Sequence, residues 1–285
     1  MCLFLHPLLK VIWLIHRKLF LIILFFSLLV IPAKVFSQDI PKDKKAFITS
    51  AFKTGEWLQF RLHYGIFNAS YATLSLSNDT IANQPVFHAK GYGRTSGLAR
   101  LFFRVEDHYE SYFNKDKTQP LRFIRRIDEG GYTKNKVIEF DQKNGFSYVN
   151  DIKNNKKSRY KIDYNTQDLV STFYYLRNYL PKGKLIPNQS FKIKIFFDDE
   201  SFDFNLKYLG IETLKTKFGK IECLKFIPLV QKGRVFKDEE SITLWISNDL
   251  NKVPIRIQAD IAIGSIKCDL ENYKNIKYPF KIVSR

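Results

Sequence analysis

Residues 191–208 read Phe-Lys-Ile-Lys-Ile-Phe-Phe-Asp-Asp-Glu-Ser-Phe-Asp-Phe-Asn-Leu-Lys-Tyr. Phe191, Ile193, Ile195 and Phe197 fall on one face, with Lys192 and Lys194 opposed to them. Phe202, Phe204, Leu206 and Tyr208 then oppose Asp203, Asn205 and Lys207. A β-strand turns successive side chains to opposite faces, so two such runs are two strands, each with one face in a core. The polar connector Asp198-Asp199-Glu200-Ser201 has hairpin length, which makes the pair antiparallel.

The same period recurs outward in both directions. Leu58, Phe60, Leu62 and Tyr64 oppose Gln59, Arg61 and His63; Ile242, Leu244 and Ile246 form another face, as do Ile255, Ile257, Ala259, Ile261 and Ile263. Gly264 starts a final strand. Further strands are expected near 71–78, 85–92, 108–113, 120–127, 132–140 and 145–149, punctuated by Asn78-Asp79, Gly130-Gly131, Asn144-Gly145 and, later, Asn248-Asp249. One segment breaks the pattern. Asp168–Leu180 has no Gly or Pro, and Leu169, Phe173, Leu176 and Leu180 recur at helical spacing, with Asp168 as cap and Pro181 and Gly183 as stop. A shorter helix is expected over Gly97–Phe103. The fold class is therefore mainly β: one large antiparallel sheet curled into an open barrel or sandwich, with one central helix at about 168–180. The expected organisation is a leader (1–37), a short linker (38–51) and one β-rich domain (52–285) with two halves, about 52–165 and 185–285.

The leader carries the location. Leu19–Ile31 is an apolar run behind His16-Arg17-Lys18. It is too short for a membrane-spanning helix, which needs about 20 apolar residues, and has the form of a signal peptide. Cleavage is expected between Ser37 and Gln38, giving a periplasmic or outer-membrane-associated product. An uncleaved N-terminal anchor is the alternative, and the apolar stretch 1–15 leaves the true start site open. Of the formal charge of +18 in 285 residues, Lys10, Arg17, Lys18 and Lys34 lie in the leader. The remaining excess suits anionic surfaces. Its lysines are dispersed, unlike the clustered arm of a nucleic-acid binder, so no nucleic acid is expected. Cys223 and Cys268 are open to one disulfide in an oxidising compartment, but Cys268 shares an apolar strand phase with Ile266 and Leu270, where a buried free thiol acts as a small hydrophobe.

Several long stretches resemble a family of exported bacterial proteins, domain-of-unknown-function family 3108, in the form common in Bacteroidetes. They are GEWLQFRLHYGIFNASYATLSL (55–76), LFFRVEDHYESYFN (101–114), QPLRFIRRIDEGGY (119–132), FGKIECLKFIPLV (218–230) and the run from Gly233 to Tyr273. The resemblance covers roughly 52–275. It implies an envelope location and a curled antiparallel architecture, and it supplies no catalytic residues.

Motifs for chemistry are sparse. His63, His88 and His108 form no HxH or HExxH, so no metal or other cofactor is expected. Ser96 does not sit in a nucleophile elbow, and Gly91, Gly93 and Gly97 miss the dinucleotide spacing. The acidic Asp198-Asp199-Glu200 and Asp249 with Asn251 read as turns rather than calcium ligands. The densest titratable cluster is Glu106-Asp107-His108-Tyr109-Glu110. There His108 and Glu110 share a strand face and are placed to pair, and Asp107 with Glu110 is the one carboxylate pair to inspect for acid–base work. Trp57 and Trp245 read as rim residues of a groove or as edge residues packing under the helix. The expected function is non-enzymatic binding of a lipid, glycolipid, lipoprotein or other amphipathic envelope ligand, with peripheral membrane contact. The alternatives are a structural or partner-binding role in envelope assembly and an enzyme acting on envelope polysaccharide.

Overall fold

The computed structural model describes residues 50–181, 183–229, 242–261 and 263–284. The leader, with Ser37 and Gln38, lies outside the described residues. Strands β1 (Trp57–Tyr64), β2 (Phe67–Ile81), β3 (Gln84–Thr95), β4 (Val105–Asn114), β5 (Pro120–Glu129), β6 (Tyr132–Asp141), β7 (Phe146–Asp151) and β8 (Lys156–Lys161) pair in sequence order. So do β9 (Ser190–Phe197), β10 (Glu200–Thr216), β11 (Gly219–Leu229), β12 (Ile242–Ser247), β13 (Pro254–Asp260) and β14 (Ser265–Lys274). β14 pairs with β1, which makes one antiparallel path β8-β7-β6-β5-β4-β3-β2-β1-β14-β13-β12-β11-β10-β9. A short β15 (Ile282–Ser284) adds to β11. Helix α1 (Gly97–Phe102) joins β3 to β4, and α2 (Leu169–Tyr179) joins the two runs.

The sheet curls without closing. β9 approaches the far end of the path through one parallel bridge: Gln167 N–H donates to Lys194 O and Phe196 N–H to Gln167 O, both at 2.8 Å. Ile195, Phe196 and Phe197 are buried on both strand faces as a result. Phe196 meets Phe140 of β6 and Tyr160 of β8, with ring centroids 6.2 and 5.6 Å apart.

The interior of the curl is filled by the chain itself. Tyr174 of α2 lies 4.8 Å from Phe52 and 5.3 Å from Phe113, centroid to centroid. Leu76, Ala89, Phe123, Ile138 and Leu206 belong to the same cluster. Asp168 caps α2 by accepting from Val170 N and Ser171 N, and the Ser171 hydroxyl accepts from Asp168 N in return. The helix is buried almost all round: Ser171, Thr172, Tyr174 and Arg177 lie deepest, and the Leu169–Phe173–Leu176 stripe is half-buried. Arg177 forms a fully buried pair with Glu56 at 2.5 and 2.7 Å and also donates to Ala51 O and Asn251 O. Among the described residues no helix is long and apolar enough to cross a membrane.

The expected strands are present, with three local corrections. The hairpin turn is two residues, Asp198-Asp199, because Glu200 already pairs with Phe197; Asp198 takes the positive φ of 57° that a tight turn of this kind needs. β2 does not turn at Asn78-Asp79. It continues to Ile81 and turns at Ala82-Asn83, while Asn78 accepts from Thr54 and Lys115, and Asp79 pairs with His88. β13 ends at Asp260, so Ile263 does not share its buried face. Cys223 and Cys268 are both free thiols: they belong to β11 and β14, with β12 and β13 between them. Strands lie about 4.8 Å apart, which puts the two far beyond the reach of a disulfide.

Candidate functional site

Strand parity decides what the Glu106–Glu110 cluster can do. Asp107 faces the interior with Ser111 and Phe113, whereas His108 and Glu110 face outward. Asp107 and Glu110 are therefore on opposite sides of the sheet and do not converge. The partner of Glu110 is not His108 but His88 on the neighbouring strand, at 2.9 Å, and His88 also reaches Asp79 at 3.2 Å. Burial lowers the His88 imidazole despite these two carboxylates. His108 is exposed and stacks obliquely on Tyr92. His63 meets Asp269, itself held by Arg256.

Inside the sheet Asp107 gains partners that local reading missed. On β5 the buried phase runs Phe123, Arg125, Ile127, Glu129, and on β6 it includes Lys136, Ile138 and Phe140. Charged residues thus occupy the apolar phase at one end of adjacent strands, which is the signal that could have found them. The β9–β10 turn lies over this group. Arg125 Nη1 donates to Asp198 at 2.5 Å, Lys134 to Asp198 at 2.8 Å and Lys136 to Asp199 at 2.9 Å. Arg125 also sits 4.5 Å from the Phe197 ring centroid. The turn is so tied by charge to the first half of the sheet. Burial would raise Asp198, but Arg125, Lys134 and Lys136 hold its carboxyl below the ordinary range.

Asp107 and Glu129 are the anomaly. They are 2% and 5% exposed. Neither Asp107 oxygen nor Glu129 Oε1 has a donor in hydrogen-bonding geometry, and the two carboxyl groups lie side by side. Two carboxylates cannot bond to each other, so a shared proton is the arrangement that satisfies them. Burial, and then the charge of Glu129, push Asp107 up to about 8; burial raises Glu129 as well.

The tryptophans form no common groove. Trp245 is buried in a core with Leu58, Leu214, Ile221 and Val253, under the ammonium of Lys225. Trp57 is half-buried beneath Lys274 and lies on β1, three positions from β12 along the sheet. A cleft of about 180 Å³ is lined by Arg177, Asn178, Asp249, Lys252 and Tyr278. Most of its polar groups are already engaged: Asn178 by Ala51 N, Arg177 by Glu56, and Asp249 Oδ1 by Ser247 and Asn251, while Asp249 Oδ2 has no donor. Among the described residues no group of three or more His, Cys, Asp or Glu side chains is placed to hold a metal ion.

The other distinctive surface is one end of the sheet. The β1–β2 turn, the β13–β14 turn and α1 all lie there, because Tyr64 pairs with both Phe67 and Ile266, and Ser70 pairs with Thr95 just before α1. Ile66 is 88% exposed, Phe67 69%, Leu101 79%, Phe102 61% and Ile263 75%. Sequence reasoning put Ile263 on a strand face and Leu101 and Phe102 in a short helix and did not single out Ile66 or Phe67, since apolar residues beside a strand read as its continuation.

This architecture defines a class, an antiparallel β-barrel-like protein whose barrel is left open. A solved structure of that description, the β-barrel-like protein of domain of unknown function DUF1849 from Brucella abortus, is similar in fold: TM-score 0.50, 11% identity, with 78% of this chain and 98% of that chain covered. The chain belongs to the DUF3108 family, proteins of unknown function, whose model matches residues 59–271. A DUF1089 family protein from Pseudomonas aeruginosa aligns with a TM-score of 0.38 at 12% identity, over 68% of this chain and 92% of that one. No curated protein matches the sequence.

Proposed function

We propose that this is an exported cell-envelope protein, periplasmic or outer-membrane-associated, that binds a lipid, glycolipid or lipoprotein and performs no chemistry. The observation that carries the reading is the gathering of Ile66, Phe67, Leu101, Phe102 and Ile263 at one end of the sheet. Single exposed apolar residues are ordinary on a protein surface; five large ones on adjoining turns mark a contact site. Engagement at the surface also fits an interior occupied by Phe52, Phe113, Phe123 and Tyr174. The leader run Leu19–Ile31 supports export. Asp107 and Glu129 receive no catalytic role, because the pair is shut from solvent. Native mass spectrometry of the protein isolated from the envelope tests the reading. The expected result is a mass increment that organic extraction removes and that the double variant Ile66→Ser/Phe67→Ser lacks. A bare chain mass from every envelope fraction contradicts it.

A further inference from the structure

We infer that the end carrying the β1–β2 turn, the β13–β14 turn and α1 docks onto an anionic lipid bilayer. The three apolar tips enter the headgroup layer, and Arg94, Arg100 and Arg104 meet the lipid phosphates. This rests on the ligand reading above and names the form in which the ligand is met.

Shape is the first support. The exposed apolar residues are spread over three segments of the chain. They sit on three separate protrusions: Ile66-Phe67 on one turn, Ile263 on a second, Leu101-Phe102 at the end of α1. Three points define a plane, and insertion of separated apolar tips is how a rigid body engages an interface it does not span.

The tips are also held in fixed relation. The Tyr64 hydroxyl donates to Ile263 O at 2.8 Å, which ties the first turn to the second. Ser96 N–H donates to Ala69 O at 3.0 Å, which ties the start of α1 to β2. Gly264, at φ 75°, lets the second turn lie against Tyr64: a β-carbon there would stand 3.2 Å from the ring. Beneath the turns Leu62 and Ile266 form a small core of their own with Tyr64, Ala69 and Ile261. The contact surface is therefore preorganised, and binding need not order it.

Charge selects the surface. Arg94, Arg100 and Arg104 are exposed beside α1. Glu106 lies 3.8 Å from Arg100 and 3.0 Å from Arg104 and offsets part of their charge, with Asp128 opposite it on β5 and Asp260 at the base of the β13–β14 turn as the other acids of this end. Cations flanking apolar tips match a layer with phosphates at its surface and acyl chains below. A protein partner would have to supply three pockets and an acidic rim at once.

The test uses the protein purified from the cell envelope, with vesicles of phosphatidylcholine alone or with part of it replaced by phosphatidylglycerol. Cosedimentation is expected with the anionic vesicles and to fall with added salt. Each arginine near an anionic surface changes affinity about fivefold, so the triple variant Arg94→Gln/Arg100→Gln/Arg104→Gln is expected to lose at least about tenfold after the offset by Glu106. Orientation is read separately from affinity. An environment-sensitive dye on Ile263→Cys is expected to shift to the blue on vesicle addition, while the same dye on Ile186→Cys, at the opposite end of the sheet, stays unchanged. No sedimentation, or an equal or larger shift at position 186, overturns the inference. Should bound lipid still be found by native mass spectrometry in that case, the ligand reading stands and bilayer docking alone falls. Recovery of a protein crosslinked at position 263, with vesicles ignored, replaces the bilayer with a protein partner.

Discussion

Asp107→Asn is expected to make the protein less sensitive to alkaline pH. In the folded chain the Asp107 carboxyl is pushed up to about 8, first by burial and then by Glu129. In the unfolded chain it titrates near the ordinary aspartate value of about 4. A carboxyl whose folded value is the higher one binds more protons in the native state. Stability therefore falls as pH rises from about 4 through about 8 and levels off above that. A shift of this size has a ceiling of about 6 kcal/mol, and relaxation of the Asp198-Asp199 turn with water entry reduces the expected loss to roughly 2–3 kcal/mol between pH 5 and 9. Asparagine keeps the shape, donates its amide to Glu129 and has no proton to lose. His88, held low by burial, works in the opposite direction over part of this range, and Asp168, pushed up to about 7 by burial against its hydrogen bonds from Ser111 and the helix N-terminus, works in the same direction. Both remain in the variant, so the difference between the two proteins reports the Asp107–Glu129 pair. Urea unfolding followed by tryptophan fluorescence at pH 5, 7 and 9 measures it. The parent is expected to lose stability relative to the variant as pH rises. Parallel pH curves, or a parent that gains on the variant, would refute the shared-proton reading.

Two further outcomes follow from burial. Glu56→Ala leaves the Arg177 guanidinium as an uncompensated buried charge between α2 and the 50–56 segment, and is expected to cost about 3–5 kcal/mol in urea unfolding. Burial pushes the thiols of Cys223 and Cys268 up to about 12, so iodoacetamide at pH 8 is expected to label neither in the native protein and both in urea; rapid native labelling counts against the packing around β11 and β14.

What was legible in the sequence follows from where side chains point. Residues 191–208 gave their hairpin because each strand has one solvated and one buried face, and α2 was visible from its cap Asp168 and its lack of Gly and Pro. β10 beyond Tyr208 was not legible, because the register shift between Tyr208 and Gly210 flips the phase and leaves Leu209 and Ile211 exposed. β8, Lys156–Lys161, is an edge strand with no apolar phase to read. At the site, Asp107 stood out by local charge density, but Arg125 and Glu129 reach it only through strand pairing. His88 for His108 is the same lesson: Glu110 found its partner across the sheet, not along the strand.

The most direct measurement places a photo-activatable diazirine side chain at Phe67, and separately at Ile186, in living cells and identifies the adducts by mass spectrometry. Lipid adducts at position 67 with few at 186 are the expected result. Protein adducts at 67, or lipid adducts equal at both positions, would contradict a lipid-facing end.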